Sequence, residues 1–297
     1  PILNPLLQRL GFGPNDRVAI VHADDIGAYQ ASLPAIADLF EAGLVSSCAT
    51  MVPCPWFPAV VAFARANPSA DIGVHTTITS EYELYRWGAV GPRDPASGLL
   101  DADGYFHRSV AGVMAAAPEA VAAELRVQVE RALAAGIDVT HVDSHMGAVF
   151  IPAFLPGYLA AAEVARVPAF LLRADAQQLR ERGLPEPLIA QLLDMLREAE
   201  ASGLPVVDHL AMMPLERHAD RVAEAKAVFD ALPPGLSYVI LHPAQDTPEL
   251  RAAAPSDWQA RAADYEAFCS RELRDYVRSR GVQVIGWRTI RDALRAS

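Results

Sequence analysis

Two adjacent carboxylates follow the first strongly apolar stretch of the sequence, Val18-Ala-Ile-Val-His22-Ala23-Asp24-Asp25-Ile26-Gly27. A continuous apolar run of this kind is typical of a buried strand in a parallel sheet. Because like charges repel at short range, Asp24 and Asp25 are expected to share a cation or a proton. The alternative is that they cap the next helix, a position that favours Asp. This stretch alone leaves both interpretations open.

Histidines also stand near the ends of other strand-like stretches. His75 comes late in Ile72-Gly-Val-His75-Thr-Thr, His145 closes the stretch that begins at Val139, and His242 follows Tyr238-Val-Ile-Leu. A single strand-end histidine is more often structural than a ligand. The chain has only eight histidines, however, and several stand where one edge of a sheet would bring them together. We therefore interpret these three as parts of one site.

Four further residues belong to this set or flank it. In His141-Val-Asp143-Ser-His145, the two-residue period of a strand places the three ionisable side chains on one face. Asp143 is therefore predicted to orient a histidine ligand. Arg173 and Arg288 end the predicted strands 169–174 and 282–288, and they are expected to support the site. His209 and His218 lie outside the pattern and are predicted to be structural or exposed.

The residue types point to a metal that activates water. Two histidines and one carboxylate leave coordination positions open, as in hydrolytic and redox metal sites. No flavin or haem signal favours redox chemistry, so a metal-activated water is the preferred interpretation. One Asp of the pair can then bind the metal while the other accepts a proton from that water.

The arrangement of elements predicts how these residues meet. Strands alternate with helices seven or eight times, without an internal linker or repeat, which predicts an α/β fold with a mostly parallel sheet over a single domain, 1–297. The predicted elements include a helix near 176–182, a short strand at 206–207 and a long helix over 258–280. The length favours a closed or nearly closed β/α barrel, whose chemistry lies at the C-terminal ends of its strands. An open doubly wound sheet is the alternative. No Gly-x-Gly-x-x-Gly follows the first strand, which disfavours a nucleotide cofactor.

Residues 79–112 interrupt the alternation with an irregular segment rich in aromatic residues. A long segment of this kind inside a domain is usually a functional loop, so we expect a lid-like insertion. Its aromatic side chains, Trp87 among them, could stack on a sugar face. They could equally form a small satellite core.

Composition limits the class of protein. With 297 residues, of which 52% are hydrophobic, the chain can bury a large core. Its net charge of −11, without a basic cluster, makes nucleic acid an unexpected partner. No apolar run approaches the roughly 20 residues needed to cross a bilayer, and no secretion signal is visible. Cys48, Cys54 and Cys269 lack metal-type spacing and are expected to be free thiols in a reducing cytoplasm.

The sequence resembles the YdjC-like carbohydrate deacetylases, which include chitooligosaccharide deacetylases. The motifs occur in the family order across nearly the whole chain. They are Ala23-Asp24-Asp25-Ile26-Gly27, Gly73-Val74-His75, Thr140-His141-Val142-Asp143-Ser144-His145, Leu172-Arg173-Ala174-Asp175 and His242-Pro243-Ala244.

The resemblance implies an irregular β/α barrel related to polysaccharide deacetylases. It implies one divalent metal ion, Mg²⁺ or Zn²⁺, held by Asp25, His75 and His145, with Asp24 as general base and His242 as general acid. The expected reaction removes acetyl from an N-acetylated sugar, a small-molecule substrate, in a protein that could form homo-oligomers. The alternatives are another metal-dependent amidohydrolase or lyase on the same barrel, and a sugar-binding protein without turnover.

Two departures from the family pattern bear on the substrate. His22 stands where many relatives have Asn, and Met146-Gly147 follow His145 where chitooligosaccharide-type members carry further histidines. An apolar, adaptable methionine and a glycine without a side chain should leave a less polar and roomier surface. The preferred substrate is therefore predicted to differ from simple diacetylchitobiose.

Overall fold

A parallel sheet forms the centre of the computed structural model, which describes residues 4–181, 185–216 and 219–296. Every pairing between its strands is parallel. The strands are β1 (Arg17–Ile26), β2 (Ser47–Thr50), β3 (Ile72–Thr76), β4 (Val139–Ser144), β5 (His209–Met212), β6 (Gly235–Leu241) and β7 (Val282–Val284).

Helices connect these strands and cover the outside of the sheet. They are α1 (Pro5–Arg9), α2 (Ser32–Ala42), α3 (Phe57–Ala66), α4 (Val110–Val113), α5 (Pro118–Ala134), α6 (Leu155–Ala165), α7 (Ala176–Glu181), α8 (Glu186–Ala201), α9 (Arg221–Ala231), α10 (Pro248–Ala253), α11 (Trp258–Cys269), α12 (Arg271–Ser279) and α13 (Trp287–Arg295). In the parts of the chain given above, no helix is both long and apolar enough to cross a membrane.

The sheet curls into an irregular barrel, as the sequence predicted. Its strand order is β4-β3-β2-β1-β6-β5, and β7 pairs with the N-terminal half of β1. Two isolated bridges complete the ring between β4 and β5, Val142 with Ala169 and Leu172 with Val207. The strands predicted at 169–174 and at 206–207 are therefore represented only by these bridges, and β5 itself begins two residues later.

The barrel encloses a small apolar core below a polar layer. Val18 and Ile20 of β1 lie beside Leu236 and Tyr238 of β6, and Trp287 packs with them inside the barrel. Farther along β1, the same alternation turns His22 inward. The opposite face of the strands packs against the helices in a larger apolar cluster. Along the strands, the polar layer that contains the predicted site residues therefore begins where the apolar core of the barrel ends.

Gly73 shows how tightly this polar layer is packed. A Cβ atom at this position would lie 2.4–2.6 Å from ring atoms of His141, closer than any real contact allows. The His141 ring stacks on Trp287, with 5.1 Å between ring centroids, and is fully buried. The Gly-x-His motif therefore leaves room for His141 on β4 as well as supplying His75 on β3.

Two predicted elements end differently in the structure. The long helix predicted for 258–280 is divided into α11 and α12 at Ser270, whose hydroxyl accepts a hydrogen bond from the Leu273 N–H and caps α12. The strand predicted to continue to Arg288 stops at Val284, and Trp287 begins α13. The predicted helix end at residue 182 and His218 lie outside the described residues.

Candidate active site

A local break in strand geometry brings both carboxylates of the Asp24-Asp25 pair to the barrel mouth. Successive side chains of a strand normally point to opposite faces. Asp25 instead has a φ of 62°, in the left-handed region, and the β1–β2 register shifts between Ala23 and Ile26. The next helix begins at Ser32, and Ala31 is its N-cap without a side-chain hydrogen bond. The alternative interpretation of the pair as a helix cap is therefore wrong.

Asp25, His75 and His145 come together as a group with the geometry of metal ligands. Asp25 Oδ1 lies 3.4 Å from His75 Nε2 and 3.2 Å from His145 Nδ1. One potential ligand atom from each of the three residues lies within 4.8 Å of the other two, and all three side chains are buried. The structure thus joins the three predicted ligands, which come from the ends of β1, β3 and β4.

Each of these three side chains has a further partner on its other polar atom. His75 Nδ1 lies 2.7 Å from Asp143 Oδ1, so an Nδ1–H donated to that carboxylate leaves Nε2 as the free ligand atom. Arg261 Nη1 donates to Asp25 Oδ2 at 2.8 Å. Glu81 Oε2 lies 2.8 Å from His145 Nε2. Such outer contacts fix the orientation of metal ligands. The carboxylates also raise the basicity of the two histidines, whereas Arg261 lowers that of Asp25.

Two other groups of side chains in the same region could also hold a metal ion. Asp24, His75 and Asp143 form a second possible metal group, and His22, His141 and Asp143 form a third. Asp143 already accepts hydrogen bonds on both oxygens, from His75 and from the Tyr238 hydroxyl at 3.0 Å. It is therefore occupied as an orienting group, which favours the group that contains Asp25.

The electrostatics of the group favour positive charge at its centre. Burial by itself would lower the pKa of His75, but Asp143, Asp24 and Asp25 reverse this effect and raise the pKa well above its usual value. Burial likewise disfavours the charged form of His145, yet Glu81 and Asp25 raise its pKa to about 9. Burial would raise the pKa of Asp25, but Arg261 and the two histidines hold it well below the usual range. For both histidines, the carboxylates therefore raise the pKa by more than burial lowers it.

Asp24 and His242 face each other on the open side of the group. Asp24 Oδ2 lies 3.8 Å from His242 Nε2 and 3.9 Å from His75 Nε2. Its other oxygen lies 3.1 Å from His22 Nε2, and Asp143 and Asp24 raise the pKa of His22 although burial opposes this. The His242 backbone N–H donates to Asp264 Oδ2 at 2.9 Å, which holds the end of β6 against α11. Both predicted proton-transfer residues therefore lie beside the predicted ligands.

Trp87 and Tyr82 of the segment 79–112 are packed into the protein, and the lid-like insertion itself stays a prediction. Trp87 is only 3% exposed, its indole N–H donates to the Thr79 carbonyl, and its ring lies 6.1 Å from that of His145. The Tyr82 hydroxyl accepts from Arg261 Nη2 at 3.0 Å. The satellite-core alternative describes Trp87 and Tyr82, since a ring as buried as Trp87 offers no face to a sugar, whereas Tyr105 is 40% exposed. Trp87 supports His145 by packing.

The two predicted arginines lie away from this group. Arg173 is directed to the outside, where its guanidinium pairs with Glu200 and Asp208. Arg288 lies at the opposite end of the barrel, where it pairs with Asp138 before β4 and its N–H donates to Asp71 before β3. Their positions are therefore inconsistent with the predicted role in supporting the site.

Comparisons with known proteins agree with the motifs. A model of the family described as YdjC-like protein matches residues 18–279. The chain belongs to the YdjC-like family.

Two curated relatives and one solved structure are similar to this YdjC-like chain. A carbohydrate deacetylase of Thermus thermophilus is 33% identical over 290 residues, covering 97% of this chain and 99% of that protein. A carbohydrate deacetylase of Brevibacillus brevis is 36% identical over 149 residues, covering 50% of this chain and 57% of that protein. A crystal structure described as a cellobiose-phosphate cleavage protein of Enterococcus faecalis has a TM-score of 0.75 at 21% identity, covering 93% of this chain and 99% of that one. The last comparison shows a common fold.

Several residues of this YdjC-like site were missed by sequence reasoning. Glu81 and Tyr82 lie in an irregular segment, and Arg261 and Asp264 lie on a helix that follows the last histidine motif. Their spacing carries no signal, because they reach the site only through packing of distant segments. Arg261 is buried on α11, which the sequence alone does not reveal.

Replacement of Arg261 by methionine is expected to weaken metal binding about 10- to 100-fold, the usual cost of losing a partner of a ligand. Arg261 is 2% exposed and neutralises Asp25, so its loss leaves a buried carboxylate without its cation. Competition titration with a chelating dye would measure the affinity. Arg251→Met is the matched control, because Arg251 pairs with Asp246 on the surface. Equal affinities in the two variants would contradict the assigned role of Arg261.

Proposed function

We propose that this chain is a metal-dependent hydrolase that removes an acetyl group from an N-acetylated sugar. The observation that carries the proposal is the group Asp25, His75 and His145, with each member held by its own outer partner and with Asp24 and His242 beside it. The names of the curated relatives support the same activity.

The donor set fits a divalent cation. Three buried ligands leave coordination positions open, which a catalytic metal requires. Two imidazole nitrogens favour Zn²⁺, whereas Mg²⁺ prefers oxygen ligands throughout. When bound, such an ion polarises an amide carbonyl and lowers the pKa of water.

The protein's own residues supply the proton transfers. Asp24 Oδ2 is the proposed base that takes a proton from the attacking water, and His242 Nε2 is the proposed acid that gives a proton to the departing nitrogen. His22 lies against the other Asp24 oxygen, and Ser47 Oγ lies 2.6 Å from His22 Nδ1. The His22 ring therefore flanks the Asp24 carboxylate at ion-pair distance.

Acetate release from N-acetylglucosamine and its short oligomers would test the proposal. We expect turnover with Zn²⁺ or another divalent ion, loss of turnover after chelation, and recovery when metal is returned. The Asp24→Asn variant, purified in parallel, is the control for contaminating activity. Stoichiometric metal binding without hydrolysis of any amide would contradict the proposal and favour a binding protein.

A further inference from the structure

A large apolar cavity opens beside Asp24 and His242, and its volume is about 490 Å³. Among the described residues, Ser144 is the only other polar side chain that lines it. Cavities of this size and character are typical of sites for small molecules that have a large apolar part. The apolar side chains of the lining include Phe170, Leu172, Leu192, Leu196, Leu210 and Met212.

The cavity belongs to the barrel interior and opens at the C-terminal mouth. Leu210 and Met212 of β5 pair with Tyr238 and Ile240 of β6, so their side chains share the inward face. Inward-facing residues of a small barrel are normally covered by their neighbours. Leu210 and Met212 are nevertheless 39% and 55% exposed, and residues of α7 and α8 form the outer wall in front of them. The barrel therefore leaves an apolar space next to its polar site.

The two residues after His145 contribute to the same lining. Met146 and Gly147 both line the cavity, and Met146 is 45% exposed. Both have left-handed backbone conformations, with φ values of 53° and 63°. A side chain at Gly147 would be strained there, and its Cβ atom would lie 3.4 Å from the Phe150 ring. The apolar, roomy surface expected from Met146-Gly147 is therefore part of this larger cavity.

The position of the cavity assigns it to the nitrogen side of the amide. None of the predicted ligands Asp25, His75 and His145 lines it, whereas His242 does. Asp24 lies between them, with its Oδ2 3.9 Å from His75 Nε2 and 3.8 Å from His242 Nε2. The carbonyl oxygen belongs at the ligands, and His242 gives its proton to the departing nitrogen. The cavity therefore adjoins the part of the substrate that leaves as the amine.

Further sugar rings do not suit the chemistry of this lining. Sugar hydroxyls that are buried without hydrogen-bond partners cost free energy, and the polar side chains that line the described cavity are only Asp24, Ser144 and His242. A hydrocarbon chain brings no polar group that needs a partner, and its burial against leucine and methionine side chains is favourable. At roughly 30 Å³ for a group the size of a water molecule, the cavity holds on the order of 16 such groups. A chain of about eight carbons or more therefore fits.

We propose that the substrate is an N-acetylated amino sugar with a hydrocarbon aglycone, and that this aglycone occupies the cavity beside His242. The inference rests on the proposed deacetylation and names the class of its substrate. In a 2-acetamido sugar the anomeric carbon is bonded to the carbon that bears the nitrogen, so a chain on the anomeric oxygen starts close to the amide. Hydrolysis joins the oxygen of water to the carbonyl carbon, breaks the C–N bond and puts a proton on the nitrogen. Acetate is released, and the aglycone stays on the amino sugar.

Alkyl glycosides of N-acetylglucosamine, from methyl to octyl, test the inference in the metal-loaded enzyme at concentrations below micelle formation. We expect kcat/KM for acetate release to rise by roughly fourfold for each methylene group that becomes buried. The octyl glycoside should exceed the methyl glycoside by at least about tenfold on the same basis. N-octanoylglucosamine, which carries its chain on the carbonyl side, should show no gain over N-acetylglucosamine. As a readout without turnover, the amine product octyl glucosaminide should bind more tightly than methyl glucosaminide in calorimetry.

Leu210→Glu places a charge in the cavity wall and should reduce the octyl-to-methyl ratio of kcat/KM by about tenfold, the effect of about two lost methylene contacts. The value for the methyl glycoside should stay close to that of the unchanged protein. Leu133→Glu is the matched control, because Leu133 is 37% exposed on the last turn of α5 and lines no part of the cavity. Met212→Glu repeats the test at a more exposed position if Leu210→Glu folds poorly.

The outcomes separate the aglycone inference from the proposed deacetylation. Equal or lower kcat/KM for the octyl glycoside, with clear acetate release from the methyl glycoside, would overturn the inference and uphold the deacetylase. A gain that Leu210→Glu and Met212→Glu both leave unchanged would also overturn it, because the chain would then bind outside the cavity. If no amide were hydrolysed, the proposed function would fail, and the inference would fail with it.

Two other occupants of the cavity give results of their own. A higher kcat/KM for diacetylchitobiose or its longer oligomers than for the octyl glycoside would show that sugar rings are preferred, and the inference would be wrong. Sedimentation velocity tests whether a second copy of the chain covers the cavity. A dimer that Leu210→Glu converts to a monomer, while Leu133→Glu does not, would identify the cavity as an interface and overturn the inference.

Discussion

Replacement of His75 by alanine is expected to remove most of the bound divalent metal and to abolish measurable turnover. His75 offers Nε2 to the group that contains Asp25 and His145, and its other nitrogen is held by Asp143. With one of three protein ligands lost, the two that remain form an incomplete site. Substitution by alanine also releases the Asp143 carboxylate from its shortest contact, so a modest loss of stability is expected.

Metal content after dialysis, measured by plasma emission, and the melting curve of the same sample would check this prediction. His209→Ala is the matched control, because His209 also lies on a barrel strand, yet its Nε2 contacts the Pro234 carbonyl, away from the Asp25 group. The control should retain full metal. A His75→Ala protein with a normal melting curve and full metal occupancy would show that the ligand assignment is wrong.

The barrel and its main chemical residues could be predicted because their signals are local. Apolar runs that end in Asp or His indicate buried strands, and parallel strands end at the same edge. The ends of β1, β3, β4 and β6 therefore met as expected, with Asp25, His75, His145 and His242 close together. The family motifs then named the same positions, and the family match confirmed the resemblance.

The parts that could not be predicted depend on contacts between distant segments. The sequence predicts a strand that reaches Arg288, because most residues from Val282 to Trp287 are apolar, but Trp287 turns into the barrel as the first residue of α13. That turn carries Arg288 to the N-terminal end of β3 and β4. Arg173 ends a stretch that forms only bridges, and alternation directs its side chain outward while Leu172 and Ala174 line an apolar cavity beside Asp24 and His242. No local pattern distinguishes these outcomes.

The same limit applies to the residues that complete the site. Arg261 reaches Asp25 across 236 positions of sequence, and Glu81 reaches His145 from an irregular segment. The left-handed conformation of Asp25 is also invisible to strand periodicity, although it is what brings both carboxylates to one side. Unusual backbone conformations of non-glycine residues concentrate at functional sites, where the surrounding structure maintains them.

Asp24→Asn is expected to keep the metal while turnover falls by about 10²–10⁴-fold, the usual contribution of a positioned base. Asparagine preserves the shape of the side chain but cannot accept the proton of the attacking water. The Asp25 carboxylate lies closer to the histidine ligands than Asp24 does, with 3.4 Å to His75 Nε2 against 3.9 Å. Metal binding should therefore depend on Asp25, and proton transfer from the attacking water should depend on Asp24.

The paired variant Asp25→Asn makes this division measurable. It should lose metal affinity, because the charge of the ligand is removed and with it the ion pair with Arg261. Metal titration and kcat would be determined for both variants on the same substrate. Since Asp24 also flanks His22 at 3.1 Å, a melting curve must show that Asp24→Asn remains folded. If Asp24→Asn empties the site while Asp25→Asn keeps its metal, the two carboxylates exchange roles, and the base is Asp25.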